Sequence, residues 1–391
     1  MKRIFIFLLI SVLLLLRFTL SIRRVEFHEN EVQHLVLDLN ESHANILKIN
    51  DKYPSKHIYA KLFYKENGKY EGYFLIKNLS EEDNFIFMEL EEIKSKKIEK
   101  NFIAQYLDKI FDRAQDNFSP DIKNINKALL LGDSSKISKK MKEKIRYLGL
   151  SHIFAMSGLH IGIIYSFFYF ICYKIFNKKI IIESATLILI SLYYLGIKES
   201  PSFTRAYLMI FIFLLAKILY EKIDIKKTLF LSAIISFIFK PNVIFSVSFQ
   251  LSYLAMLAII YFFPLIRKIN IKKLKVLDYI FFTLSIQIFL IPIQIFYFNT
   301  FPFLAIPINI LILPFAGFYI ILIYFHLFLE NFYLSFILTP IVELYHLIFQ
   351  KIIDIFSEIP NSIIYYYNKK LIFLYLIFFI YIFIKDLIKK K

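Results

Sequence analysis

At 391 residues, 58% hydrophobic and with a mean hydropathy of +0.57, the chain is too apolar for a soluble protein of its length. Its formal net charge of +17 would suit a nucleic-acid binder, although membrane topology accounts for much of it. The one cysteine, Cys172, excludes an intrachain disulfide and a cysteine metal cluster.

Residues 4–20 are almost wholly apolar, with Lys2 and Arg3 before them and Arg23 and Arg24 after. Small residues suited to a cleavage site are missing at Ser21-Ile-Arg-Arg, which predicts an uncleaved anchor over residues 1–24 with a cytoplasmic amino terminus. Residues 25–100 change character. Short β-rich runs at 32–39, 58–64, 70–76 and 85–90, with Asn67-Gly68 as a hairpin signal, predict a small antiparallel barrel or sandwich. With 13 Lys+Arg against 15 Asp+Glu between 21 and 100, this domain has no basic excess to mark it as a nucleic-acid binder.

Residues 101–150 read as a helical connector, with helical periodicity over 101–118 and 124–147 and Pro120 between them. From residue 134 to 147 it carries Lys136, Lys139, Lys140, Lys142, Lys144 and Arg146 against Glu143 alone. A basic amphipathic helix in that position is expected on the bilayer surface.

Residues 151–391 form a multi-span region. Apolar runs near 152–173, 180–197, 203–220, 226–239, 246–263, 277–298, 303–329, 334–350 and 371–388 make ten spans with the first anchor. The breaks assigned to the cytoplasm hold 18 Lys+Arg and the opposite short breaks hold 5, which puts both termini inside and the β-rich domain outside. The expected fold is therefore a polytopic α-helical membrane protein with a small extracytoplasmic all-β domain near its amino end. Short or proline-broken runs at 226–239, 277–298 and 303–329 favour a conduit, because freed backbone groups at membrane depth need protein or water.

Four of the chain's 8 glycines, Gly132, Gly149, Gly158 and Gly162, fall within residues 132–162. Gly158 and Gly162 form a G-x-x-x-G, extended by Ser166, and are expected to be helix-packing positions. Ser157 and His160 lie near that face. Arg205 is the only arginine between 147 and 266, and its planar fork suits a carboxylate or phosphate. Gln250 sits in the polar run Ser246–Ser252, and Gln287, Gln294, Asn309, Glu343 and His346 add scattered polar atoms. No nucleotide-binding loop, H-E-x-x-H or H-x-H-x-D occurs, so no catalytic residue, metal or cofactor is expected.

Ala128-Leu-Leu-Leu-Gly-Asp133 and Gly149-Leu-Ser-His through Ser157-Gly-Leu-His-Ile-Gly162 resemble the signature of the competence protein ComEC family. Ser200-Pro-Ser-Phe-Thr-Arg-Ala206, Phe249-Gln-Leu-Ser-Tyr-Leu-Ala255 and the Phe298…Asn309…Pro314 stretch follow in the family's order. The resemblance implies an inner-membrane channel that passes one strand of DNA inward during natural transformation, and an OB-like exterior domain. It implies single-stranded DNA and membrane lipids as partners, with a DNA receptor outside and a DNA-translocating ATPase in the cytoplasm. His152, Ser157, His160, Arg205 and Gln250 are the residues expected to line or shape the DNA path. Ser248 departs from the pattern where a glycine is usual, and a single amino-terminal span replaces a pair. The sequence reaches Lys391 without the metallo-β-lactamase-like domain many relatives carry, so strand degradation by that domain is not carried over. A transporter for a small anionic or lipid-linked solute could use the same polar residues. A membrane-bound enzyme of envelope assembly is disfavoured for want of an acid/base pair.

Overall fold

The computed structural model describes residues 22–365, apart from residues 24–26, 41–42, 55–56, 63–66, 83–84, 100, 155, 198–199, 269–273, 303, 331 and 360–362. The expected spans over 4–20 and 371–388 lie outside the described residues.

Alternation builds the first unit. In β2 (Val32–Asn40), Leu35, Leu37 and Leu39 point inward and are fully buried. They meet Ile46 and Ile49 of β3 (His43–Ile49), Ile58 and Ala60 of β5 (His57–Lys61), Phe74 and Ile76 of β6 (Gly68–Glu82), and Met88 and Leu90 of β7 (Phe85–Ile98) in one core. These five strands close into a barrel in the order β2-β3-β5-β7-β6, antiparallel throughout except for the parallel pair β5–β7. The hairpin expected at Asn67-Gly68 is not formed. β5 pairs with β3 and β7 while β6 pairs with β2 and β7, so residues 62–67 link strands that are not neighbours. The short strands β1 (Ile22–Arg23) and β4 (Tyr53–Pro54) pair beside the barrel.

Three helices follow. α1 (Phe102–Ala114) starts at Asn101, whose side chain accepts from Ala104 N at 2.7 Å. α2 (Pro120–Leu131) carries its proline at the first turn, where no intrahelical N–H is needed, and ends at Gly132 with φ +71°. That left-handed glycine breaks the expected 124–147 helix in two, and α3 (Lys139–Tyr147) restarts from the Ser138 cap. The α3 helix is packed on protein along one side: Ile145 is buried and Lys144 pairs with Asp354 at 2.6 Å. Gly149, at φ +69°, ends this segment where a Cβ would stand 2.7 Å from Ala305 Cβ.

After the one-turn α4 (Ser151–Phe154) come α5 (Gly158–Ile175), α6 (Lys179–Gly196), α7 (Pro201–Ile218), α8 (Ile225–Phe239), a 3₁₀ segment (Pro241–Phe245), α9 (Val247–Arg267), α10 (Lys275–Phe298), α11 (Ala305–Glu330) and α12 (Thr339–Ser357). Six of the described helices, α5, α6, α7, α9, α10 and α11, are long and apolar enough to cross a membrane. The 15-residue α8 and the more polar α12 fall where spans were expected at 226–239 and 334–350 but are not among those six. Between α10 and α11, β8 (Thr300–Pro302) pairs antiparallel with β9 (Ile363–Tyr365).

Helix contacts run α5–α7, α7–α9, α9–α10, α10–α11 and α11–α5, a closed circuit of five candidate spans. α6 packs outside it on α5, α7 and α1. The largest helical core joins α2, α3, α4, α11 and α12 around Leu129, Leu148, Ile312, Tyr319 and Phe349.

Candidate functional site

The Ser-Pro-Ser start of α7 has a local cause. Ser200 Oγ accepts from Phe203 N at 3.2 Å and donates to Met156 O at 3.1 Å, and Pro201 fills the first turn. This ties α7 to the stretch entering α5. One turn on, Arg205 is 7% exposed. Its Nε finds no hydrogen-bond partner, and no carboxylate among the described residues pairs with it. Its Nη2 stands 3.6 Å from where a Cβ on Gly158 would be, at the amino end of α5, and its Cζ lies 6.0 Å from the Tyr253 ring centre.

His160 is 1% exposed and caps the same helix end. Its Nδ1 lies 3.2 Å from Ser157 N and 2.9 Å from Ser157 Oγ. A backbone N–H can only donate, so Nδ1 is an acceptor and the neutral ring carries its proton on Nε2. That buried Nε2–H has no partner. Two donors that cannot accept, on Arg205 and His160, therefore lie buried close to the positive end of an 18-residue helix dipole.

The other expected path residues divide. Ser157 is at this site as the donor that orients His160, through its backbone N–H and its hydroxyl. His152 sits in α4 with Nδ1 3.1 Å from Gly149 O. Gln250 donates to Ile244 O at 2.9 Å, and α9 offers Tyr253 to the guanidinium in its place. The close packing expected at Gly162 is not seen among the described residues: a Cβ there meets no heavy atom within 4 Å, and the α5 face it shares with Ser166 borders a groove. His346, one of the scattered polar residues, lies 3.2 Å from Tyr319 OH through Nδ1.

Sequence reasoning missed two features. Buried side-chain atoms without partners recur around the helix circuit: His160 Nε2 on α5, Arg205 Nε on α7, Asn242 Oδ1 ahead of α9, Gln287 and Gln294 Oε1 on α10, and both side-chain polar atoms of Asn309 on α11. At membrane depth such groups call for water or substrate. Their signal in sequence was the seven-residue spacing of Gln287 and Gln294, two helical turns on one face.

The second is a buried polar chain. Tyr319 OH donates to Asn126 Oδ1 at 2.8 Å, Asn126 Nδ2 to Gln115 Oε1 at 2.6 Å, and Gln115 Nε2 reaches His326 Nδ1 at 3.5 Å. His326 Nε2 then lies 3.2 Å from Thr339 Oγ1. Since Tyr319 spends its one proton on Asn126, His346 Nδ1–H donates to Tyr319, and every donor points the same way along the chain. No periodic pattern announces it, because its members lie on α1, α2, α11 and α12.

Among the described residues, His34, Asp51 and Glu71 on the barrel bring one ligand atom each within 4.8 Å of one another. Asp51 and Glu71 are exposed.

A run of apolar helices behind a five-stranded β-barrel defines a helical membrane protein with an amino-terminal β domain. The competence protein family model matches residues 129–390, and the chain belongs to that family. It is similar to ComE operon protein 3 of Bacillus subtilis (strain 168), with 26% identity over 204 residues. That alignment covers 52% of this chain but 26% of the relative, so the chain spans only a minor part of the curated relative's length. No solved structure matches.

Proposed function

We propose that the protein conducts single-stranded DNA through the bacterial cytoplasmic membrane during natural transformation, as a channel and not as an enzyme. The observation that carries this is the buried, unpaired Arg205 guanidinium at the amino end of α5, with the His160 Nε2–H on the same helix. Fork and imidazole both offer hydrogen to phosphate oxygens and neither offers a competing acceptor. Membership of the competence family points to DNA as the cargo. One cationic point in a wet path suits conduction better than a lined tube, because a strand must also let go.

In this reading the chain makes ten spans: the six candidates, α8, α12 and the apolar stretches 4–20 and 371–388. Both termini are cytoplasmic and the barrel is outside, in keeping with the 18-to-5 charge asymmetry. The barrel is OB-like: its strand order is first-second-third-fifth-fourth, with the third and fifth parallel. A DNA receptor outside and a DNA-translocating ATPase inside are the partners such a conduit requires.

Deleting the gene is expected to abolish entry of labelled DNA into the cytoplasm while surface binding persists; undiminished entry would sink the proposal. For the topology, a reporter active only outside should work when fused near Lys69 and fail when fused at Lys391. The reverse pattern would overturn the orientation.

A further inference from the structure

The buried site makes no use of the basic surface of α3. Met141, Ile145 and Leu148 turn into the helical core, so the opposite side of this helix offers charge alone. Lys136, Lys139, Lys140 and Arg146 are exposed there, with Glu143 the one acid among them. Two further cations are held by protein: Lys144 pairs with Asp354 at 2.6 Å, and Lys142 Nζ donates to Ser135 O at 3.2 Å. Among the described residues none of the four exposed cations has an ion pair. The helices before α3 differ, since Lys123 and Lys127 are held by Asp108, Asp112 and Asp116.

Helix stability does not explain the arrangement. Arg146 suits the last turn, but Lys139 and Lys140 stand in the first turn, where a cation opposes the helix dipole, and no acid accompanies them there. Lipid does not explain it either. A helix lying on a bilayer buries an apolar face, and among the described residues between Tyr106 and Leu159 no large hydrophobic side chain is exposed.

We propose that this face of α3 is where the incoming DNA strand docks, held through its phosphates before it passes to Arg205. Such docking presupposes the conduit reading above. Charge complementarity selects a polyanion, and the position of α3 selects the strand. α3 packs on the one-turn α4, and its closing Gly149 abuts Pro302 and Ala305 at the amino end of α11. Ser157, at the amino end of α5 with His160 and Arg205, follows Gly149 by eight residues. These ends all lie on the side that the charge asymmetry assigns to the exterior. The barrel segment has no basic excess with which to compete, at 13 Lys+Arg against 15 Asp+Glu between 21 and 100. From Lys139 to Arg146 the face runs roughly 10 Å, long enough for about three phosphates at one per roughly 3.4 Å of strand.

The test measures binding of a fluorescent oligothymidine to the full-length protein in nanodiscs of neutral lipid as salt is raised. Each phosphate contact to a single strand contributes roughly 0.7 to the slope of log K against log salt. Combining Lys136→Gln, Lys139→Gln, Lys140→Gln and Arg146→Gln should therefore reduce the slope by roughly 2–3 and weaken binding at about 0.1 M salt at least tenfold. The pairs Lys136→Gln with Lys139→Gln and Lys140→Gln with Arg146→Gln should each give about half that change in slope, which serves if the fourfold variant accumulates poorly. A charge-matched control, with Lys178, Lys179, Lys222 and Lys227 replaced by glutamine, removes four exposed lysines from the side assigned to the cytoplasm. It should lower the slope by less than half as much. A wild-type slope in the α3 variants, or an equal loss in the control, overturns the proposal. So does a variant that binds the strand normally but loses a co-purifying acidic protein or anionic lipid, which would then be the ligand of this face. Arg205→Ala should lower the slope by roughly 0.7, for one contact. That loss with none in the α3 variants removes the docking face and leaves the conduit reading standing, whereas a wild-type protein that binds no strand removes both.

Discussion

Arg205→Ala is expected to cut DNA entry by about ten- to a hundredfold, the size of losing a charge-assisted hydrogen bond of about 1.5–3 kcal/mol to the passing phosphate. The amount of protein in the membrane should not fall, since removing a charge from a span lowers its insertion cost by roughly 2.5–3.5 kcal/mol at most. Truncation also strands no partner: among the described residues no carboxylate is left unpaired when the guanidinium goes. Arg205→Lys should fall between the two, keeping charge but losing the fork. Uptake of labelled DNA, normalised to protein in membrane fractions, separates these outcomes. Wild-type uptake by the alanine variant would make Arg205 a packing residue beside Tyr253 and nothing more.

Asn126→Ala should act on the fold instead. Asn126 is fully buried and joins Gln115 to Tyr319 across the α1–α2 and α11–α12 layers. Its removal leaves the Gln115 carbonyl and the Tyr319 hydroxyl buried without those partners, at about 1–3 kcal/mol each. A loss of several kcal/mol is a large share of the stability of any domain. Asn126→Asp should be at least as harmful despite its shape, because it loses the donor to Gln115 and buries a charge. Thermal unfolding in detergent and accumulation in membranes would report both. Unchanged unfolding of the alanine variant would show the chain of hydrogen bonds to be dispensable.

The sequence made the spans legible because apolar length alone decides them in lipid, and 179–196 and 201–218 fall within two residues of the runs read at 180–197 and 203–220. The barrel was legible only in part. β3 was passed over because His43, Asn45 and Lys48 dilute its apolar alternation, and the parallel pairing of β5 with β7 is a long-range choice that no turn residue announces. Arg205 stood out as a lone arginine. What a sequence could not give was the unpaired state of its Nε, or the tautomer of His160, since both depend on what other elements bring near. The glycines teach the same lesson. Gly132 and Gly149 answer to left-handed backbone, whereas Gly162 answers to nothing among the described residues.

The α9 helix carries a widened turn, a π segment at Ala258–Phe262, with Pro264 in the turn that follows. One additional residue is accommodated there, so side chains beyond it are rotated by about 100° relative to an unbroken α-helix. Both ends of α9 pack on α10, and the end before the wide turn packs on α7 as well. Any substitution scan along α9 should therefore lose its phase near Phe262. Sensitive positions spaced three or four apart before that residue will not predict which positions matter after it.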